Sequence, residues 1–142
     1  MARITMKFGG TSVGSAEAIS HGANIVRAAY NDDHQVLVVS SAMGGVTDLL
    51  IEGARTAAAG DAARYQVIGG QLREKHETAI RTLITSDVER IAVFDEVDGL
   101  LDEFEKLCYG IYVLRDATPK AMAKVSSLGE RAQEALDTYD DA

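Results

Sequence analysis

The feature that most constrains the fold is a strand, a glycine-rich turn and a helix, met twice in succession near the start of the chain. Ala2–Phe8 alternates Ile4, Met6 and Phe8 with Arg3, Thr5 and Lys7, the period of a strand. Gln35–Ser40 contains the continuous run Val36–Val39, the pattern of a strand buried on both faces. The first run leads into Gly9-Gly10-Thr11-Ser12-Val13-Gly14-Ser15, where Ser15 is placed to cap a helix with Ile19, Ala23, Val26 and Tyr30 on one face. The second leads into Ser41-Ala42-Met43-Gly44-Gly45 and a helix carrying Val46, Leu49, Leu50, Gly53 and Ala57. Strand, turn and helix in this order predict an α/β fold with a mainly parallel sheet.

From Asp61 onward only the helical period remains. Tyr65, Ile68, Leu72, Ala79 and Leu83 keep it, with Gly69-Gly70 weakening the middle. Ser86-Asp87-Val88-Glu89 fits a capping box, and the stripe Phe94, Val97, Leu101, Phe104, Ile111, Leu114 follows. Thr118-Pro119 begins a further helix lined by Met122, Val125, Ala132, Leu136 and Tyr139. Two strands do not complete an α/β sheet, since natural sheets mostly have four to six. The chain also stops where a further strand is due, so it reads as the N-terminal part of a larger domain. A small α+β domain is the alternative.

Composition narrows the function. With 46% hydrophobic and 25% charged residues the chain is globular, and its net charge of −8 repels phosphate backbones and anionic lipid. Neither a nucleic-acid partner nor a membrane is expected. The single cysteine, Cys108, excludes a disulfide framework. No run approaches the roughly 20 apolar residues of a membrane span, and Met1–Lys7 is too short for a leader. A cytoplasmic location is expected.

Three segments can carry chemistry. In Lys7–Ser15 two adjacent glycines let backbone N–H groups approach a ligand, Thr11 and Ser12 add hydroxyls, and the following helix adds its positive end. Lys7, at a strand end, supplies a cation for a transferring phosphoryl group. The segment describes a phosphate cradle, though not the common P-loop, because Ser15 stands where that motif needs lysine. The plain alternative is a strand-to-helix turn with an exposed lysine. Ser41–Thr47 repeats the device at the neighbouring strand end, where parallel sheets bind ligands. Alternatively, Ser41 and Thr47 only cap their own turn and helix. In Ser127-Leu128-Gly129-Glu130, a glycine on a packed face leaves Glu130 to accept a substrate ammonium, or to be a solvated glutamate beside Arg131.

The remaining polar residues read as structural. His21, His34 and His76 lack metal-ligand spacing and suit surface or capping roles, and Cys108 suits a small buried apolar group. Asp95-Glu96-Val97-Asp98 and Asp102-Glu103 read as solvated helix faces, and Ala132–Leu136 is more polar than expected after the third segment.

Lys7-Phe8-Gly9-Gly10-Thr11-Ser12-Val13 resembles the opening signature of aspartate kinases, within the amino-acid kinase fold. Val38–Leu50 resembles that family's second-strand block, and Ser127-Leu128-Gly129-Glu130-Arg131 its glycine–glutamate motif. Arg73–His76 and Ala117–Lys120 are similar to archaeal-type members in particular. The resemblance spans roughly residues 3–131. It implies a three-layer α/β/α fold, helix-rich in this segment. It also implies transfer of the γ-phosphoryl group of ATP, with Mg2+, to the side-chain carboxylate of L-aspartate. The product, 4-phospho-L-aspartate, leads to lysine, threonine and methionine. By the same resemblance Lys7, Phe8, Gly9, Gly10, Thr11 and Ser12 line the phosphates, with Lys7 the catalytic residue. Ser41 and Thr47 bind aspartate, and Glu130 pairs with its α-ammonium. The family's nucleotide-binding half and regulatory ACT domains have no counterpart here, so a fragment inactive alone and a homo-oligomer at full length are expected. Two other readings stay open: a different enzyme of the same fold, or a non-catalytic interaction module built on the Asp61–Leu114 hairpin.

Overall fold

The computed structural model describes residues 2–10 and 13–139, the last two as backbone only. Strand β1 (Arg3–Phe8) leads through the first turn to helix α1 (Ala16–Asn31), which returns the chain to strand β2 (Gln35–Ser40). The two strands pair in parallel, from Arg3 opposite Gln35 to Phe8 opposite Ser40, so both C-terminal ends emerge on one side. Four helices follow: α2 (Val46–Ala58), α3 (Ala62–Leu83), α4 (Asp87–Leu114) and α5 (Pro119–Tyr139). This is the expected α/β arrangement, rich in helix, with two strands among the described residues.

The caps read from sequence at Ser15, Ser86 and Thr118 form, and Asp61 caps α3 in the same way. Ser15, Asp61, Ser86 and Thr118 accept from the backbone N–H of Ala18, Arg64, Glu89 and Ala121 at 3.2, 3.0, 3.4 and 3.1 Å. Gly69-Gly70 does not interrupt α3, because Ile68 and Leu72 on either side are buried against the neighbouring helices and outweigh a cost of about 1 kcal/mol per glycine. The core lies among the helices, where Leu50, Ala54, Ile68, Leu72, Ile80, Val93, Phe104, Val125 and Leu136 are buried. No helix among the described residues is long and apolar enough to cross a membrane.

Four expectations are corrected. Strand β2 is not buried on both faces: Leu37 is 62% exposed and Val39 47%. Helix α1 covers only one side of the sheet, placing Gly22 against the Phe8 ring, and Lys7, Leu37 and Val39 lie on the other. Leu114 does not join the α4 stripe, because the chain leaves the helix at Arg115 in a left-handed conformation. His76 is a core residue, only 2% exposed, with Nδ1 2.7 Å from the Leu72 carbonyl. Finally, Asp98 and Glu103 are not simply solvated. Asp98 pairs with Arg73 across α3 and α4, and Glu103 pairs with Lys124 at 3.7 Å and Arg131 at 3.1 Å, tying α4 to α5.

Candidate active site

The parallel register places the two glycine turns side by side. The Ser41 N–H donates to the Phe8 carbonyl at 2.9 Å, extending the ladder one step past the strands. The first turn closes with the Val13 N–H donating to the Gly9 carbonyl at 3.2 Å, the second with Val46 N–H to Met43 carbonyl at 3.1 Å. The turns touch through backbone. A Cβ placed on Gly44 would lie 3.3 Å from the Gly10 carbonyl oxygen and 3.5 Å from Gly14 Cα, so a side chain there would force the turns apart.

The third segment meets the second from the opposite direction. A Cβ on Gly129 would sit 2.9 Å from the Ala42 methyl and 3.2 Å from Val46 Cγ1. Ala42 is therefore the junction: its carbonyl faces Gly10 and its methyl faces Gly129. Close packing at this glycine brings α5 onto the second turn, which is why the residue after it can reach the strand ends.

Helix α2 begins at Gly45, with φ +84°, and has no side-chain cap. The Val46 N–H is taken by the Met43 carbonyl, and the half-buried Thr47, in the first turn of the helix, lies beside the glycine turns at its positive end. Ser41 is half-buried at the start of the same turn. Glu130 lines a cavity of about 640 Å³ bounded by α1, the strand ends and α5, together with Phe8, Val13, Ser40 and Asp137. Glu130 itself is exposed, as the alternative of a solvated glutamate beside Arg131 expects, and Arg131 is engaged by Glu103.

Lys7 is exposed on the open face of the sheet, opposite Val39, and does not line that cavity. Phe8 enters the site through its carbonyl, while its ring packs on α1. Gly9 and Gly10 are half-buried in the first turn; Thr11 and Ser12 lie outside the described residues. The structure thus joins the two turns and packs Gly129 on Ala42 and Val46; Glu130 lies exposed at the cavity, which neither Ser41 nor Thr47 lines, and Lys7 lies on the adjoining open face. Sequence reasoning missed Ala42, which carries no chemical signature, and missed the polar pair Gln133 and Asp137. Their only sequence signal was the unexpected polarity of that helix.

A sheet with two glycine turns at its carboxyl ends, an uncapped helix start and a glutamate brought in by a glycine contact defines a class. The chain belongs to the amino acid kinase family, whose profile it matches over residues 2–132. Within that family it is similar to aspartokinases. Aspartokinase 2 of Bacillus subtilis (strain 168) is 55% identical over 51 residues, which is 36% of this chain and 12% of that protein. The aspartokinase of Chlamydia muridarum is 39% identical over 82 residues, 58% of this chain and 17% of its own. Escherichia coli aspartokinase III, in its T-state complex with lysine and aspartate, superposes with a TM-score of 0.79 at 25% identity. That match covers 96% of this chain and 28% of aspartokinase III. The R-state complex with aspartate and ADP gives 0.78 at 26% identity. The chain therefore spans only a small part of the length of the relatives it matches.

Proposed function

We propose that this chain is the N-terminal, aspartate-holding part of an ATP-dependent aspartate kinase. The observation that supports the reading is the meeting of three separate segments at Ala42: the first turn at Gly10, the second turn itself, and α5 at Gly129, the residue before Glu130. Aspartokinase III, which superposes on nearly the whole chain, binds aspartate and ADP.

In this reading Ser41, Thr47 and the open N-terminus of α2 hold the aspartate carboxylates, and Glu130 accepts the α-ammonium. The β-carboxylate oxygen attacks the γ-phosphorus of ATP and the bond from that phosphorus to the β–γ bridging oxygen breaks. The products are 4-phospho-L-aspartate and ADP. Gly9 and Gly10, with Thr11 and Ser12, turn the first loop's N–H groups toward the phosphates, and Lys7 offsets the charge spread over the transferring group. Among the described residues no group of three histidine, cysteine, aspartate or glutamate side chains could hold a metal ion. In this reading magnesium would enter with the nucleotide, as part of the substrate. The nucleotide half of the site belongs to another segment, so the chain alone gives no turnover, because phosphoryl transfer requires both substrates held in line. In the complete enzyme, a cytoplasmic homo-oligomer, the product feeds lysine, threonine and methionine synthesis.

The test is a chimera in which residues 1–142 replace the matching segment of aspartokinase III, assayed by trapping the acyl phosphate with hydroxylamine. The chimera should form aspartyl hydroxamate and the chain alone none. Lys7→Ala should lower kcat by about 10²–10³ with little change in aspartate KM. Glu130→Gln should chiefly raise aspartate KM. A folded chimera that forms no hydroxamate would overturn the reading.

A further inference from the structure

The distance between the two glycine turns is decided at one residue. Both turns leave the C-terminal ends of paired strands, and the ladder's last step is the Ser41 N–H donating to the Phe8 carbonyl at 2.9 Å. Beyond that step the turns meet at Gly44. A Cβ there would lie 3.3 Å from the Gly10 carbonyl oxygen, 3.5 Å from Gly14 Cα and 3.9 Å from the Gly10 carbonyl carbon. The crowding runs one way. A Cβ on Gly10 would find the Ala42 carbonyl oxygen and Gly44 Cα at 3.9 Å, an ordinary contact, and one on Gly9 would find nothing within 4 Å. Backbone conformation does not require glycine at position 44, because the left-handed residue of this turn is Gly45, at φ +84°. What Gly44 supplies is the missing side chain.

The second turn has no room to retreat. Ala42 and Met43 are each 3% exposed, and α5 is packed on Ala42 at Gly129, where an added Cβ would lie 2.9 Å from the Ala42 methyl. The first turn is freer, since it hangs from β1, which holds no fully buried residue. A side chain at position 44 therefore pushes Gly10 outward and leaves the second turn in place.

We propose that Gly44 is a positioning residue for phosphoryl transfer: lacking a Cβ, it lets the turn that holds aspartate close on the turn that faces the phosphates, and so fixes the distance from the attacking carboxylate oxygen to the γ-phosphorus. This role rests on the kinase reading above, whereas the spacing of the turns rests on the backbone contact alone. Each substrate is held by its own turn, so a wider gap keeps both affinities and lengthens only the attack distance. Transfer is steep in that distance, about 10²-fold for a misplacement of about 1 Å. A methyl 3.3 Å from the Gly10 carbonyl oxygen displaces it by a few tenths of an ångström, which amounts to about three- to tenfold in rate.

The experiment has two arms. In the 142-residue chain, Gly44→Ala should shift the NMR amide signals of Gly9, Gly10 and Val13 across the gap, while those of the buried turns of α3 and α4 hold still. First-turn signals that do not move would overturn the spacing. In the chimera, Gly44→Ala should lower kcat, counted per site titrated with ADP, by about three- to tenfold and keep aspartate KM and ATP KM within about twofold. Counting per titrated site removes any loss of folded protein, so a glycine needed only for folding would leave that kcat at the wild-type value. An unchanged kcat per site, or a loss carried by either KM, overturns the positioning role. So does a Gly44→Ala chain that fails to fold, because a displacement this small does not unfold a spacer contact. A wild-type chimera that forms no hydroxamate overturns the kinase reading and the transfer role with it, and the NMR arm still decides the spacing.

Discussion

Replacing Gly129 by alanine tests whether the site is assembled by close packing of α5 on the second turn. In an ordinary helix interior the change gains about 1 kcal/mol of helix propensity. Here the added methyl would lie 2.9 Å from the Ala42 methyl, 3.2 Å from Val46 Cγ1 and 3.3 Å from Leu50 Cδ1. Leu50 can adopt another rotamer, but the alanine methyl cannot, so the backbone of α5 or of the turn must retreat. Overpacking of this kind costs about 1–3 kcal/mol, which leaves a net loss of about 0–2 kcal/mol. Gly70→Ala on the exposed face of α3 is the control, because nothing lies within 4 Å of its added methyl. That variant should gain about 1 kcal/mol from propensity alone. The two variants should therefore differ by the overpacking cost, about 1–3 kcal/mol, read as a shift in urea midpoint at unchanged m. Equal midpoints would refute the close contact, and with it the route by which Glu130 reaches the strand ends.

Three further outcomes follow from other parts of the core. Burial, with a smaller effect from Lys75, lowers the pKa of His76, so the unfolded chain takes up a proton near 6.5 that the folded one refuses. Stability should fall as pH drops through and below that value, and His76→Leu should flatten the dependence in denaturation measured at several pH values. Cys108, fully buried, has its thiol pushed up to about 12 by desolvation and then by Glu105. It should resist a thiol reagent at mildly alkaline pH until the chain is unfolded in urea. Gly60 has φ +90° and lies against the Arg115 guanidinium, which in turn sits 4.8 Å over the Tyr112 ring. Gly60→Ala should cost about 1–2 kcal/mol in chemical denaturation from backbone strain, before any displacement of the arginine.

The elements were legible because their signals are local. Alternation in Arg3–Phe8, the run Val36–Val39 and the capping residues Ser15, Ser86 and Thr118 each act within a few residues of themselves. The two glycine turns were legible for the same reason, as was the small-residue contact at Gly129. What stayed hidden depends on which elements become neighbours. A run of four apolar residues describes both a strand covered on two faces and one covered on a single face, and only the placement of α1 separates them. His76 reads as a surface or capping residue for want of ligand spacing, yet the helix turns it toward Leu72 and the wall of α4. Ala42 was beyond reach, because it has no functional group.

The strand pair joins residues 32 positions apart, whereas α3, α4 and α5 are antiparallel neighbours joined by short turns. The α3–α4 and α4–α5 hairpins close through short turns and should order before the strand pair, whereas α2 joins α4 and α5 across spans longer still. On opening, the order reverses. Amide exchange in Arg3–Phe8 should outpace that of the buried turns of α4. The ends of β1 and β2 thus belong to the segment that exchanges first, and a ligand bridging them would hold that segment closed as well as occupy it.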